Sequence, residues 1–423
     1  MINLINKILS FSKDLNNNNS FYKLKNDKKT SLVFYAIESY SETSEIRYVG
    51  GCIRKILKEE KVDDIDFAVN LKPSQCIDAL KKNNIISYET GIDHGTITAQ
   101  IENNKYEITS LRKDTKTDGR HAEVEFSKNW YEDASRRDFT INSIYSDIEG
   151  NLYDPFNGKK DLELGKVKFI GNPNNRIKED YLRILRYLRF FIDYSNFEHT
   201  EEVIKAIRQN INGISSVSKE RLLDEFSKIT KSKNFLKLFK DTFCKEIIVL
   251  IFPEFKNLNI FSNLNSFAIE NISKVDYIFL ICLMILDDTD NTEYFLYKYN
   301  ISNINKKRIL LLKNFYQNNI CKDILSEKNL RKLLYINGKE FINDLLYFEI
   351  FKSKKINKKI IKLINYFQDK NSPVLPIKGK DIIKKYNLKE GEIVGIKLRE
   401  IEQKWISNDF KISNEEISKI FSN

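Results

Sequence analysis

The chain has 423 residues, enough for two or three domains, and its hydrophobic (41%) and charged (30%) fractions are typical of globular proteins that fold in water. The longest apolar run, Tyr277–Leu286, is too short to span a bilayer, which excludes a helical membrane protein. Five scattered cysteines without a Cys-x-x-Cys pair argue against a zinc site, and with no signal-peptide order at the N-terminus we expect reduced thiols in the cytoplasm.

Most of the net charge of +11 comes from one C-terminal region. Between Lys306 and Lys370 there are 16 lysines and arginines against 6 acids. Two interpretations are open: the surplus covers a solvated helical surface, or it forms an electrostatic footprint for a phosphate backbone. A polyanionic partner is therefore a hypothesis that the charge alone does not decide.

The first 30 residues are polar and rich in asparagine, serine and lysine, and we expect them to be loosely ordered. A short helix is predicted over Leu32–Tyr40. Residues 46–49 then predict an apolar strand, which is followed by Gly50 and Gly51 and a short helix. Paired glycines turn tightly and let backbone N–H groups approach a triphosphate, so this turn is a candidate phosphate site.

A second strand is predicted to carry Asp64 and Asp66 on the same face, because side chains alternate along a strand. Two neighbouring carboxylates repel each other unless a cation lies between them. Mg²⁺ takes carboxylate oxygens and leaves positions for substrate phosphates. Alone, Asp-x-Asp is equally compatible with an ordinary surface strand, but the Gly-Gly turn upstream makes the combination much more specific.

Two alternating segments, 92–101 and 105–111, predict strands joined by a hairpin at Asn103-Asn104. Glu107 lies on the second strand, where its carboxylate could complete a trio with the two aspartates. His94 is a candidate base, although a turn histidine that supports the strand is the favoured interpretation. The polar residues 112–126 predict a mobile loop at the edge of the site.

The segment 132–145 begins as a short helix and continues with Arg137 and Asp138 ahead of an apolar run. A surface salt bridge is one interpretation. Beside a metal site, a guanidinium is the best clamp for phosphate and a carboxylate can accept a hydrogen bond from a ribose hydroxyl. The turn-rich connector 154–161 follows, and we expect a hinge there.

Residues 179–191 predict a largely buried helix with three ridges at i, i+3 spacing, two of them purely apolar. The third ridge is charged and must face water, a partner or a ligand. Its members are Asp180, Arg183, Arg186 and Arg189. Because three arginines share one acid there, a solvated stripe of i, i+3 ion pairs is the less favoured interpretation.

From about residue 196 to 368 the pattern is helical throughout, without strand alternation. The last segment predicts two short helices around Lys389-Glu390-Gly391, with Trp405 as a core anchor.

In this order, the motifs resemble those of the class II tRNA nucleotidyltransferases, the CCA-adding enzymes and bacterial poly(A) polymerases of the DNA polymerase beta-like superfamily. The segments that carry the likeness are GGCIR, DIDF, GIDHGTIT, YEITSLR, RRDFTINSI, DPFNGKKDL and EDYLRILRYLRF. Strong motifs cover residues 46–191, and a weaker likeness extends to near the C-terminus. The segment TDGRHAEVEF is most similar to the alphaproteobacterial and mitochondrial branch, so the mitochondrial matrix is the alternative location.

The resemblance implies an α+β fold. A nucleotidyltransferase head with a small mixed sheet of five strands and helices would be followed by an all-helical neck, body and tail. We expect a loosely ordered segment at 1–30, the head at 31–150, a base-recognising neck at 151–225, and a tRNA-binding body and tail at 226–423.

The resemblance also implies roles for individual residues. Two Mg²⁺ ions would be held by Asp64 and Asp66, with Glu107 as the third catalytic carboxylate. The residues that contact the triphosphate, the ribose and the base would be Gly50, Gly51, Arg54, Arg137, Asp138, Asp180, Arg183, Arg186 and Arg189. The stretch 112–126 would be the loop used in adding the terminal A.

Base selection by Asp180 and Arg183 also follows from chemistry. Cytosine and adenine both present an amino donor beside a ring-nitrogen acceptor, which a carboxylate and a guanidinium match. Uracil and guanine present the inverse pattern, which leaves buried groups unpaired at a cost of about 1–3 kcal/mol each. One such pair selects C and A without a nucleic-acid template.

We therefore expect a Mg²⁺-dependent enzyme that adds C, C and A to the 3′ end of tRNA from CTP and ATP, without DNA or a membrane as partner. A poly(A) polymerase is the alternative within the class, and GIDHGTIT and the stretch 112–126 favour CCA addition. A non-catalytic RNA-binding relative is a third reading. Lys55, where the family usually has Asp, is the one feature in its favour, and the intact Asp-x-Asp argues against it.

Overall fold

The structure is a computed structural model that describes residues 26–118, 121–317 and 325–422. The chain forms two compact units, and the division falls between Asn234 and Phe235. Within the described ranges no helix combines the length and the apolar character needed to cross a membrane. The predicted loose order of the N-terminal segment lies, up to residue 25, outside the described residues.

The first unit is built on a mixed sheet of seven strands. In chain order they are β1 Ile46–Val49, β2 Asp66–Val69, β3 Ile86–Gly91, β4 Thr96–Ile101, β5 Asn104–Ser110, β8 Tyr145–Ser146 and β9 Leu152–Tyr153. Their order across the sheet is β3-β4-β5-β2-β1-β8-β9. Strands β2 and β5 are parallel, and the other neighbours are antiparallel. The resemblance implied five strands; the additional β8 and β9 are two-residue strands that continue the sheet beyond β1.

The helices of the first unit are α1 Lys28–Glu38, α2 Gly51–Leu57, α3 Pro73–Lys82, α4 Trp130–Ser135, α5 Gly158–Leu164, α6 Pro173–Glu179, α7 Arg183–Tyr194, α8 Glu201–Asn210 and α9 Lys219–Thr230. Helix α1 begins at Lys28 rather than at the predicted Leu32, within the segment expected to be loosely ordered, because the Asp27 carboxylate accepts a hydrogen bond from the Lys29 N–H and caps it. Phe34 of α1 packs on Tyr48 and Phe67, and this aromatic contact anchors the helix on the core of the sheet.

The described part of the segment 112–126 is not a loop. It forms a separate two-stranded antiparallel ribbon, β6 Arg112–Asp118 and β7 His121–Phe126. The prediction was wrong because backbone pairing does not require apolar side chains, so a polar ribbon has the composition of a loop. The preceding hairpin is confirmed, with Ile101 opposite Asn104, but its first strand begins only at Thr96.

The predicted helix 179–191 is interrupted at its start. Helix α6 ends at Glu179, Asp180 has extended backbone angles (φ −155°, ψ 106°), and α7 begins at Arg183. The Asp180 carboxylate accepts a 3.1 Å hydrogen bond from the Leu182 N–H, and such local bonds compete with helix formation. The predicted burial is confirmed, since both apolar ridges of α7 lie in the core.

The described part of the second unit is helical, as predicted. Its helices are α10 Lys237–Lys240, α11 Thr242–Ile251, α12 Ser266–Asn271, α13 Tyr277–Ile285, α14 Asn291–Lys298, α15 Asn303–Gln317, α16 Glu327–Lys352, α17 Lys358–Gln368, α18 Gly379–Tyr386, α19 Glu392–Ser407 and α20 Asn414–Ser422. The two helices predicted around residues 389–391 are α18 and α19, with α20 in addition. Trp405 is 3% exposed and packs against Tyr335 and Phe410, which confirms it as a core anchor.

Candidate active site

A cavity of about 660 Å³ in the first unit, hereafter the main cavity, brings together nearly all of the predicted site residues. The predicted residues that line it are Gly50, Gly51, Arg54, Asp64, Asp66, Arg137, Asp138, Asp180, Arg183, Arg186 and Arg189. Further lining residues that the sequence did not single out for the site are Arg112, Arg136, Asn142, Phe190 and Lys228. Segments far apart in sequence thus converge on one strongly cationic cavity with a few acids in its wall.

The predicted catalytic carboxylates lie at the beginning of β2 and on the neighbouring β5. Asp66 is the first residue of the strand, and Glu107 on β5 is its partner in the parallel register. Asp64 lies in the exposed segment before the strand, so the prediction that β2 carries both aspartates was wrong by two residues. Burial and repulsion from Glu107 and Asp64 raise the pKa of Asp66 to about 6. Among the described residues these three acids do not all gather within 4.8 Å of one another.

The Gly-Gly turn connects β1 to α2 and positions Arg54. Gly50 has a φ of +74°, a conformation that favours glycine. One turn further on, the buried Arg54 donates a hydrogen bond to the Asn142 side chain, and its guanidinium lies 4.9 Å from the Phe190 ring. Its Nε–H has no hydrogen-bond partner in the described residues. Because the Nε atom is buried, the rest of the guanidinium is the part of Arg54 suited to binding an anion in the cavity.

Asp133, which the sequence analysis passed over, holds two arginines of the cavity wall. It is 1% exposed and lies 2.6 Å from a terminal nitrogen of Arg136 and 3.0 Å from one of Arg137. The Tyr145 hydroxyl donates to it at 2.6 Å. Burial opposes ionisation of Asp133, but the two guanidinium groups outweigh it and lower its pKa. The arginines are therefore fixed in place before any ligand binds.

Asp138 is buried, and both of its carboxylate oxygens are already engaged. One accepts from the Asn142 amide at 2.6 Å and from the Phe139 N–H at 2.9 Å, and the other accepts from Arg186 at 2.6–2.7 Å. Burial opposes its ionisation, yet Arg186 lowers its pKa. Asp138 thus orients Asn142 and Arg186, and its predicted contact with a ribose hydroxyl stays a prediction.

Each arginine of the predicted charged ridge pairs with an acid from outside the ridge. Glu179 accepts from Arg183 at 2.6 Å, and Asp138 accepts from Arg186. Glu225, on α9, accepts from Arg189 at 2.5 Å. Asp180, the single acid of the ridge, is not shared by these arginines. The solvated stripe of i, i+3 ion pairs therefore does not form, because the acids that pair with the arginines come from outside the ridge.

Helix α9 contributes two residues that sequence reasoning missed. Arg221 donates a 2.8 Å hydrogen bond to Asp180, and the buried Glu225 lies 3.8 Å from Arg186 in addition to its contact with Arg189. One signal was available in the sequence. Glu225 falls on the helix face of the buried Leu222, Phe226 and Ile229, where an acid needs a partner.

His94 and Lys55 are the two remaining residues whose roles the sequence left open. His94 ends an exposed turn before β4, and its carbonyl accepts from Arg112, as expected for a turn histidine rather than a base. Lys55 lines the main cavity, and its ammonium lies 3.1 Å from Asp63.

Two family descriptions match the chain. Residues 46–168 match the poly A polymerase head domain, and residues 196–258 match the probable RNA and SrmB-binding site of polymerase A. The mitochondrial CCA tRNA nucleotidyltransferase 1 of Homo sapiens is 31% identical over 407 residues, a match that covers 89% of this chain and 86% of that protein. The CCA-adding enzyme of Staphylococcus epidermidis is 29% identical over 392 residues, covering 88% and 92%.

Solved structures with the same fold agree with these matches. The CCA-adding enzyme of Bacillus stearothermophilus, in complex with CTP, superimposes with a TM-score of 0.67 at 18% identity, covering 93% of this chain and 96% of that one. The Thermotoga maritima CCA-adding enzyme, complexed with tRNA, gives a TM-score of 0.61 at 20% identity, covering 96% and 97%. At these identities the likeness shows the α+β fold.

Proposed function

This chain belongs to the family of CCA tRNA nucleotidyltransferases, and we propose that the main cavity is where it adds C, C and A to the 3′ end of tRNA. CTP and ATP are the substrates, pyrophosphate is released, and no nucleic-acid template is needed. The observation that supports this placement is the presence of aspartates and a row of fixed arginines in the wall of one cavity. The cytoplasm is the proposed location, with the mitochondrial matrix as the alternative because a relative's name carries that word.

Asp64 and Asp66, with Glu107 beside them, are proposed to hold two Mg²⁺ ions. The donor set fits, since Mg²⁺ prefers carboxylate oxygens and keeps positions for phosphates. The raised pKa of Asp66 also fits, because burial, followed by repulsion from Glu107 and Asp64, outweighs the opposing effect of Arg137 and Arg54. When bound, Mg²⁺ supplies a lower pKa for the attacking 3′-hydroxyl and charge neutralisation for the leaving pyrophosphate.

The triphosphate is bound by groups that are already oriented. Arg137, held by Asp133, and Arg54, packed on Phe190, both present their guanidinium groups in the wall of the main cavity. Gly50 and Gly51 leave the backbone open to the phosphates, because no side chain covers it. Such preorganised donors orient the α-phosphorus for in-line attack without rearrangement during the reaction.

The base is read by Asp180 and Arg183, which also line the main cavity. Asp180 is fixed by Arg221 and Arg183 by Glu179. The carboxylate accepts from the amino group of C or A, and the guanidinium donates to the neighbouring ring nitrogen. Arg186 and Arg189 continue the cationic wall from this point.

We further propose the head at residues 31–150, the neck at 151–225, and the tRNA-binding body and tail at 226–423, after an N-terminal segment at 1–30. The lysine-rich region from residue 306 to 370 is the electrostatic footprint for tRNA.

Incubation of the enzyme with a tRNA that lacks its CCA end, together with CTP and ATP, tests the function. Addition of three residues is expected; a long A ladder would show a poly(A) polymerase instead, and no product would favour a binding protein. Asp64→Ala should slow CMP addition by about a thousandfold or more. Asp78→Ala, an exposed acid of α3 outside the main cavity, is the matched control and should behave like the parent.

A further inference from the structure

A second cavity of about 560 Å³ adjoins the main cavity in the first unit. The two share Arg54, Lys55, Asp64, Arg189 and Lys228. The proposed base-reading residues Asp180 and Arg183 line only the main cavity, whereas Lys61, Lys231 and Lys233 line only the second. Because the shared residues include Arg54 and Asp64, proposed above to contact the triphosphate and the metal, we place the junction of the two cavities beside the phosphates.

Lys55 lies at this junction on α2, one residue after Arg54. Its ammonium contacts one carboxylate oxygen of Asp63 at 3.1 Å, and the side chain is 31% exposed. Asp63 directly precedes Asp64, so this contact places a cation next to the segment that carries the proposed metal ligand.

The contact between Lys55 and Asp63 is a weak one that a stronger anion can displace. Asp63 is 56% exposed, and ion pairs in such surroundings contribute little. Lys61 lies 3.6 Å from the other oxygen of Asp63, so this acid keeps a cation when Lys55 departs. The lysine stem is flexible, and its ammonium binds phosphate as a point charge.

We infer that Lys55 binds the β- and γ-phosphates of the nucleotide and holds the pyrophosphate at the junction of the two cavities as it leaves. This rests on the proposed function. In the reaction the 3′-hydroxyl gives up its proton to water and its oxygen forms a bond to the α-phosphorus, while the bond from that phosphorus to the bridging oxygen breaks, so the electron pair of that bond leaves with pyrophosphate. Lys55 remains protonated throughout and transfers nothing.

The experiment compares the full-length enzyme with Lys55→Met, Lys55→Arg and Lys58→Met. Lys58 is the exposed residue at the end of α2 and lines neither cavity, so its variant loses the same charge without touching the junction. The readouts are inhibition of CMP incorporation by inorganic pyrophosphate, KM for CTP, and kcat. Melting temperatures establish that all variants are folded.

Lys55→Met should weaken pyrophosphate inhibition and raise KM for CTP by roughly tenfold, the size expected for one lost charge-assisted hydrogen bond. Its kcat should change less, Lys55→Arg should recover most of the inhibition, and Lys58→Met should match the parent. Parental inhibition and KM in Lys55→Met would overturn the inference and leave Lys55 as a surface ion pair. Failure of the parent enzyme to incorporate CMP would instead overturn the proposed function.

Discussion

Asp180 accepts a 2.8 Å hydrogen bond from Arg221, which lies 41 residues further along the chain. Its other carboxylate oxygen accepts from the Leu182 N–H at 3.1 Å. The acid is thus anchored on two sides at the wall of the main cavity, with 25% of its side chain exposed. An acid held in this way can read a base edge without first losing much side-chain entropy.

Asp180→Asn tests this reading of the base. Asparagine keeps the size of the side chain but adds an amide that donates as well as accepts, so UTP and GTP should gain access. We expect the preference for CTP over UTP to fall by about ten- to a hundredfold, corresponding to roughly 1.5–3 kcal/mol for a lost charge-assisted contact. Competition between CTP and UTP on a tRNA lacking its CCA end measures this preference.

The control for Asp180→Asn is Asp224→Asn, the same change at an exposed acid of α9 that lines neither cavity. It should leave the preference unchanged. If the Asp180 variant were as selective as this control, Asp180 would have a structural role only. Overall CMP incorporation should fall less than selectivity does, because Arg54 and Arg137 still bind the phosphates.

Glu225→Gln should destabilise the first unit. The carboxylate is almost fully buried and accepts from Arg189, so its neutralisation leaves a partly buried guanidinium without its counter-charge. Glutamine still offers one acceptor, and we therefore expect a loss of about 1–3 kcal/mol in the free energy of unfolding. Urea denaturation followed by circular dichroism measures this value. Asp224→Asn, which breaks only a surface pair with Lys228, should cost less than about 1 kcal/mol; equal losses would contradict the role of Glu225.

The sequence was sufficient to predict features that depend on neighbouring residues. The Gly-Gly turn, the hairpin before Glu107 and the two apolar ridges of α7 each have a local pattern in the sequence, and the structure contains all three. The ordered motifs also gave the fold class. The prediction that these residues meet in one site came from the resemblance, because a local pattern carries no information on which segments meet.

Pairings between distant segments could not be predicted in this way. Glu225 was missed because its partners, Arg186 and Arg189, lie on a different helix, which the sequence around Glu225 does not reveal. The ribbon 112–126 was taken for a loop because its stability comes from backbone hydrogen bonds, to which side-chain polarity is nearly indifferent. The break before Arg183 was missed because the three consistent ridges predicted a continuous helix. The helix is interrupted by a single local hydrogen bond from the Leu182 N–H to a side chain.

Mg²⁺ binding should depend on pH through Asp66. The raised pKa means that the metal-free folded protein binds this proton more tightly than the unfolded chain does. Proton binding by Asp66 therefore stabilises the folded state. This contribution is complete below the ordinary pKa of 3.8 and is lost as the pH rises through about 6. A proton and Mg²⁺ compete for the same carboxylate, so the Mg²⁺-induced rise in melting temperature should be small at pH 5 and large at pH 7.5.

Asp66→Asn separates the two contributions to this pH dependence, which are the binding of a proton and the binding of Mg²⁺ by Asp66. The variant should melt at a higher temperature than the parent without Mg²⁺ above pH 6, because the repelled charge is gone. It should also lose most of the Mg²⁺-induced shift at every pH. Asp78→Asn, at an exposed position of α3, should keep the parental profile. A parental Mg²⁺ shift in Asp66→Asn would show that the metal binds elsewhere.

Gly95→Ala should disturb the root of the β6–β7 ribbon. Gly95 has a φ of +79°, and a Cβ there would lie 2.8 Å from a ring carbon of Phe126, the last residue of β7, so the ring must move. Gly171→Ala is the matched control, because Gly171 has the same φ of +79° with open space around its Cβ position. The control carries only backbone strain of about 1–3 kcal/mol, whereas Gly95→Ala carries the clash in addition.

If the ribbon serves addition of the terminal A, tRNA products of Gly95→Ala should accumulate at CC while those of Gly171→Ala reach CCA. Identical product patterns on a sequencing gel would remove the ribbon from that step.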